Sequence, residues 1–318
     1  MKAKIAVTAY FINTVTGRVY RPDPMLDLII ELHSKCQFID FYFLDWHSLT
    51  NEENIYVYNL SINTYTRVNL REFNAVHVLK IGYGTCKELT LKEKWQQFLK
   101  NVSVLEIHKI PCINKVDVFR YAIEKWYLLT LSELEICTIP SQILSSKTEY
   151  EILLKEHEPA DIIKPLNGEC GILVNHISEL DQNTYEVYQK QCDHILIQKY
   201  ISDIQYGEKS LFFLNGVFWR SIIKIPHYEN FRSNGRHFGA SFKDYTPTSK
   251  EIKFSQNVLD AFPRHVDVAR VDIISTKNNL MLMEIEVIDP GYYIDSRSLI
   301  LLKLEEFYKN FLQKEYCI

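Results

Sequence analysis

Val268-Ala-Arg270-Val-Asp272-Ile-Ile-Ser275 and Leu280-Met-Leu-Met-Glu284-Ile-Glu286-Val287 are two apolar runs separated only by the turn Thr276–Asn279. Their length and their turn predict a pair of strands. In a strand, residues two apart point to the same face. Arg270 therefore shares a face with Asp272, and Glu284 with Glu286. Pairing the strands across the turn brings all four together. Three carboxylates on one face repel unless a cation neutralises them. Hard oxygen donors of this kind suit Mg²⁺, which keeps waters and phosphate oxygens as its other ligands. An arginine beside them suits a phosphoryl group. A solvated, charged sheet face accounts for the same pattern equally well when it is taken alone.

Four segments upstream add to this pair. Ile162-Ile-Lys164-Pro-Leu-Asn-Gly168-Glu-Cys-Gly171 reads as an apolar strand ending in a lysine, then a glycine-bearing turn. Backbone N–H groups of such a turn cradle phosphates, and the lysine supplies a point charge; an ordinary hairpin has the same look. Glu124-Lys125-Trp126 lies on a helix predicted over Val116–Leu131 from apolar residues at Val118, Ala122, Trp126 and Leu129. Ile195-Leu-Ile-Gln198-Lys199-Tyr-Ile201 is a strand running into a hinge, followed by Gly207-Glu208. The hinge backbone suits an adenine edge and the glutamate a ribose, although a core strand and a surface turn fit as well. Lys224-Ile-Pro226, Phe231-Arg232-Ser-Asn234 and Phe238-Gly239-Ala240 form a basic loop long enough to close over an anionic intermediate, or simply a solvated one.

The rest of the chain supplies the frame. The first third alternates strands (Lys4–Val7, Phe38–Phe43, Ala75–Ile81) with helices (Met25–His33, Leu89–Leu99) and a hairpin, Ile55–Leu60 with Tyr65–Leu70. A denser run of strands follows at Asp161–Pro165, Ile172–Val174, His194–Tyr200, Leu211–Phe213 and Val217–Ile225. Helices are expected at Phe254–Phe262 and Leu299–Leu312. The order is an α/β unit, then a strand-rich α+β unit closed by a strand pair and a helix.

At 318 residues the chain holds two or three packed units. A net charge of −4 argues against nucleic acid as a partner, since such proteins carry basic surfaces. The seven cysteines are odd in number and lack a CxxC spacing, which fits reduced thiols in the cytoplasm. No apolar stretch reaches the roughly 18 residues that a membrane span needs, and the start reads as a strand rather than a signal peptide. His157, His176 and His194 lack metal spacing. Cys170 reads as a small turn residue with no histidine partner nearby in sequence.

Taken in order, these segments resemble the ATP-grasp superfamily, and within it the bacterial glutathione synthetases. The family's KPLxGxGG motif looks like Lys164-Pro-Leu-Asn-Gly168-Glu-Cys-Gly171, and its QKYL hinge like Gln198-Lys-Tyr-Ile201. Its GDxR turn is similar to Gly207-Glu208-Lys-Ser210, with serine in place of arginine. Its RIP…RGN…GG loop resembles Lys224-Ile-Pro226, Arg232-Ser-Asn234 and Gly239-Ala240, and its DxI…EIN…P ending resembles Asp272-Ile-Ile, Glu284-Ile-Glu286 and Pro290. Glu286 stands where most relatives have asparagine. With Asp289-Pro290 it also resembles the O-ureido-serine cyclo-ligase branch.

The resemblance implies an ATP-grasp fold, α/β and α+β, preceded by an N-terminal α/β domain. Residues 1–112 would be the substrate side, 113–200 the lid and 201–318 the metal-bearing subdomain. It implies that Lys125 and Lys164 hold ATP phosphates with Gly168 and Gly171, that Gln198, Lys199 and Ile201 form the adenine hinge, and that Glu208 takes the ribose. Asp272, Glu284 and Glu286 would bind Mg²⁺, one or two ions, with Mn²⁺ as the alternative; Arg232, Arg270 and Lys224 would be catalytic. The implied reaction is ADP-forming ligation of a small acid to an amine. A ring-closing ligation, a peptide or protein substrate, and a nucleotide-binding protein without turnover are the alternatives. Neither membrane nor nucleic acid is an expected partner, and self-association is left open.

Overall fold

Ile5, Ala6 and Val7 are wholly buried on both faces of one strand, which requires cover on both sides of the first sheet. The computed structural model describes residues 2–316 apart from 10–11, 14–17, 20–23, 51–52, 82–88, 170, 229, 234–237 and 294–296. The Gly82–Gly84 break, Cys170 and Asn234 therefore lie outside the described residues.

The N-terminal unit comprises β1 (Ala3–Thr8), a short ladder of β2 (Ile12–Asn13) and β3 (Arg18–Val19), α1 (Pro24–Lys35) and β4 (Ile39–Leu44). It continues through β5 (Asn54–Asn59), β6 (Thr64–Asn69), β7 (Ala75–His77), α2 (Leu91–Ile107) and β8 (Cys112–Ile113). Its sheet order is β6-β5-β4-β1-β7-β8, with β1 parallel to β4 and β7 and the β5–β6 hairpin antiparallel. Ile5 and Val7 pack toward α1, and Ala6 toward α2, as the two-residue period demands. α2 starts on a capping box: Glu93 N–H donates to Thr90 Oγ1, and Thr90 N–H to the Glu93 carboxylate.

Two short helices follow, α3 (Val116–Ala122) and α4 (Tyr127–Glu133). The single helix expected over Val116–Leu131 is broken between them. The cause is tertiary: Lys125 N–H donates to Leu166 O at 3.2 Å rather than back along the helix. Lys125 thus stands at a junction, not on a helix face. The next sheet has the order β11-β10-β12-β9, built from β9 (Ser141–Ser145), β10 (Ile162–Pro165), β11 (Asn175–His176) and β12 (His194–Gln198), with α5 (Tyr150–Glu156) and α6 (Gln182–Gln191) beside it. The strand expected at Ile172–Val174 is a turn instead, with Gly171 and Leu173 at positive φ. β9 and α6 were not expected; Tyr185, Tyr188 and Cys192, all buried, were the periodic signal for α6.

The third sheet, in the order β15-β14-β13-β16-β17, is antiparallel throughout. It contains β13 (Glu208–Leu214), β14 (Val217–Ile225), β15 (Ser241–Asp244), β16 (Val268–Ser275) and β17 (Leu280–Glu286), with α7 (Ser249–Ala261) on its outer side. The closing helix α8 (Arg297–Tyr316) returns to the first sheet, where Tyr308 OH meets His77 Nδ1 at 2.7 Å. Among the described residues, no helix is long and apolar enough to cross a membrane.

Gly207 opens β13 at φ +108°, and a Cβ there would lie 2.5 Å from Ile223 Cγ1. Gly207→Ala combines left-handed strain with overpacking, so a loss of about 3 kcal/mol is expected. A urea melt with unchanged slope should show it. A loss under about 1 kcal/mol, the size of an ordinary surface change, would mean the turn relaxes freely.

Candidate active site

The β16–β17 register sets Arg270 opposite Glu286 and Asp272 opposite Glu284, with an irregularity just after Asp272. One oxygen from each of Asp272, Glu284 and Glu286 lies within 4.8 Å of the others. The ends of both strands are fixed by Asn114, whose Nδ2 donates to Val268 O at 2.7 Å and Val287 O at 2.8 Å. Tyr127 OH accepts from Ile285 N–H and donates to Ile285 O, pinning the backbone between the two glutamates. Neither residue was marked by sequence.

Asp272 is the hub. Arg270 donates to it through Nε (2.9 and 3.1 Å) and Nη2 (2.8 Å), Lys224 Nζ at 2.9 Å and Ser210 Oγ at 2.6 Å. Arg270 also reaches Glu286 at 2.5 Å. Lys224, with no exposed side-chain surface, bridges Asp272 and Glu208 Oε1 (2.5 Å). The structure places Lys224, expected to be catalytic, as a buried strut between these two carboxylates. Ser233 Oγ–H donates to the other oxygen of Glu208. Both Glu208 oxygens are therefore engaged, although the residue lines the cleft described below.

The electrostatics follow from burial against charge. Burial alone would raise the Asp272 pKa, but Arg270 and Lys224 outweigh it and hold it well below the carboxylate range. Burial likewise opposes Glu284, yet Lys125 and Lys164 lower its pKa. At Glu286 burial wins over Arg270, and its pKa is pushed up to about 8. Lys164 falls to about 8 by burial, against the pull of Glu284. The three carboxylates supply hard oxygens at ligand spacing and fit a divalent ion. A cation there would relieve the charge that Glu286 carries poorly and would compete with Arg270 and Lys224 for Asp272.

Lys125 Nζ donates to Gly168 O at 2.8 Å and lies 3.8 Å from Glu284. Gly168 turns back on Pro165 O, where a Cβ would come within 3.0 Å, and Gly171 has φ +72°. Across the hinge, Gln198 Nε2 donates to Ser141 Oγ at 3.0 Å, and Lys199 N–H is already given to Pro140 O at 2.9 Å. Arg232 turns away from the carboxylates: its Nε and Nη2 donate to Val174 O and its Nη2 to Asn175 Oδ1 (3.0 Å). It ties the chain at Arg232 to the neighbouring sheet and is not brought to the metal cluster.

These residues line two clefts. The larger, about 900 Å³ with its mouth, lies between the second and third sheets. It joins Lys125, Lys164, Gly168, Gly171, the hinge Gln198–Ile201, Glu208, Arg232 and Glu284 to an apolar wall of Ile139, Ile162, Ile274 and Met283. Tyr200 and Phe231, which lie within the hinge and loop motifs but had no role assigned, line it and form an aromatic cluster with His176. The smaller, about 610 Å³, lies toward the first sheet and includes Ile81, Trp95, Tyr127, Glu286 and Asp289. Lys125, Gly168, Glu169 and Glu284 belong to both.

Comparison with known proteins gives the same outline. Residues 124–296 match the family model described as prokaryotic glutathione synthetase, ATP-grasp domain. A glutathione synthetase of Buchnera aphidicola subsp. Baizongia pistaciae is 25% identical over 264 residues, covering 74% of this chain and 78% of that one. A probable alpha-L-glutamate ligase of Pasteurella multocida is 25% identical over 64% of this chain and 67% of its own length. Among solved structures, D-cycloserine synthetase superposes with a TM-score of 0.69 at 17% identity, over 96% of this chain and 99% of that one. D-alanine–D-alanine ligase from Bacillus anthracis gives 0.62 at 14%, over 99% of both chains. At these identities the structures speak for the fold alone.

Proposed function

Because the chain belongs to the ATP-grasp family of prokaryotic glutathione synthetases, we propose that it activates a small amino-acid-like or peptidic carboxylate as an acyl phosphate, releasing ADP. Its reaction is the ATP-dependent formation of a C–N bond. The observation that carries the finer reading is the meeting of two clefts at Lys125, Gly168, Glu169 and Glu284.

In this reading the larger cleft takes ATP, with the base against the apolar wall and the Lys199 carbonyl at its edge. The ribose lies toward Glu208. Lys125 and Lys164 hold the phosphates over the Gly168–Gly171 turn, and the γ-phosphoryl group lies at the shared edge. The donor carboxylate enters from the smaller cleft, so that the two reactants meet in line. Mg²⁺ held by Asp272, Glu284 and Glu286, as one or two ions, would neutralise charge on the transferring group. Arg270 stands beside the metal carboxylates, paired with Asp272 and Glu286, and the loop of 226–242, which carries Arg232, would keep water from the acyl phosphate. An amine then attacks the acyl carbon and phosphate leaves. Residues 1–112 would supply the acid side, 113–200 the lid and 201–318 the metal-bearing half.

Glu286 and Asp289-Pro290 favour a second reading, in which acid and nitrogen belong to one molecule and a ring closes. Both readings are tested by incubating the chain with MgATP and a panel of amino acids, ureido amino acids and γ-glutamyl peptides. ADP release should rise with the right acid, and hydroxylamine should trap a hydroxamate. Mass spectrometry separates the outcomes: joining two molecules adds their masses less one water, and ring closure removes one water from a single substrate. If no acid stimulates ADP formation, both readings fail.

A further inference from the structure

Glu169 is an odd occupant for a phosphate-binding turn. It follows Gly168, whose carbonyl accepts from Lys125, and it lines both clefts. A carboxylate at that point repels a terminal phosphate. The charge is answered from the N-terminal unit: Lys94 Nζ donates to Glu169 Oε1 at 2.5 Å, with only 8% and 16% of the two side chains exposed. The next residue, Trp95, donates its Nε1–H to Asn167 O at 2.8 Å. Nearby, Leu91 N–H donates to Gln191 Oε1 at 2.9 Å, and Lys92 pairs with Asp193 at 2.8 Å. The first turns of α2 thus clasp the phosphate-binding turn and the end of α6.

We propose that Lys94 and Trp95 are positioning residues that hold this turn in the shape ATP requires, Lys94 by cancelling the Glu169 charge beside the terminal phosphate. The proposal rests on the reading that nucleotide fills the larger cleft with its γ-phosphate at the shared edge. Removing Lys94 alone leaves a buried carboxylate uncompensated, which costs far more than the intact pair contributes. That carboxylate faces the terminal phosphate, so ATP should suffer more than ADP. Removing both charges takes the repulsion away again. Trp95 and Glu169 also line the smaller cleft, so a donor acid seated there touches the same clasp.

Calorimetric titration of the full chain with Mg²⁺ and either ADP or the β,γ-imido analogue of ATP tests this. Lys94→Met should weaken the analogue by about tenfold or more, the scale of one nearby unit charge in a partly screened site, and ADP by less than about threefold. The double variant Lys94→Met/Glu169→Gln should return the analogue to within about threefold of the parent. Equal weakening of both nucleotides, or a double variant as weak as Lys94→Met, overturns the proposal. If Lys94→Met fails to fold, the double variant decides: folding with normal discrimination supports it, and continued failure overturns it. A parent chain that binds neither nucleotide defeats the cleft assignment, and this proposal with it. Normal binding in Lys94→Met defeats only the proposal.

Discussion

Glu284→Gln should lower ATP-dependent ligation by about 10³-fold, corresponding to several kcal/mol of lost charge stabilisation at the transferring phosphoryl group. The substitution keeps the side chain's shape and one oxygen, and it removes only the charge. Glu284 sits opposite Asp272 in the register and edges both clefts, within 3.8 Å of Lys125. Its pKa is held down by Lys125 and Lys164 against burial, so it is the carboxylate already poised to bind a cation. Asp272 is tied up by Arg270, Lys224 and Ser210, and Glu286 by Arg270. Mn²⁺ binding followed by electron paramagnetic resonance should fall with the rate, and the melting temperature should fall as well, because Lys125 and Lys164 lose the charge they face. A variant that keeps Mn²⁺ affinity within about threefold, well under the loss expected for a missing charged ligand, would show that the ion is held elsewhere.

The strand pair was legible because its signal is local. A two-residue period and a four-residue turn place Arg270, Asp272, Glu284 and Glu286 on one face without help from the rest of the chain. The family motifs extended this to the turn at Gly168 and the hinge at Gln198, since those are backbone devices written in consecutive residues. What stayed hidden depends on partners remote in sequence. Nothing between Val116 and Leu131 announces a break, because the cause is the Leu166 carbonyl. Trp126 counted as a core position of that helix, yet it is 41% exposed and rests on His194. Lys94 reads as an ordinary surface lysine until Glu169 is folded against it. A basic loop carries no trace of where the Arg232 guanidinium will find acceptors; in the fold these are Val174 O and Asn175. Lys224 was marked by its motif, but only the fold reveals that it is sealed between two acids.

That last placement carries the second large effect. Lys224→Met should destabilise the chain by about 3–5 kcal/mol, the usual consequence of stripping one partner from a buried ion pair. Lys224 has no exposed side-chain surface, and it separates Glu208 from Asp272, which are nearly as deeply buried. In the intact chain burial already raises the Glu208 pKa, with Lys224 opposing it, while Arg270 and Lys224 keep Asp272 ionised. Without the lysine both acids rise. An acid whose folded pKa exceeds its unfolded value is penalised above that folded pKa and relieved as pH falls through it. The depressed Asp272 of the intact chain works the other way, contributing stability above the unfolded carboxylate range and losing it as pH falls. The gap between variant and parent is therefore widest near neutral pH and narrows toward acid, from the raised Glu208 range downward. Urea melts at neutral and mildly acidic pH measure it directly. Adding Glu208→Gln to Lys224→Met should restore a large part of the loss by deleting one of the two uncompensated charges. A gap that is independent of pH, or a double variant no better than the single, would mean that Lys224 contributes through packing alone. A variant that folds normally yet loses ligation would return the lysine to the reacting atoms.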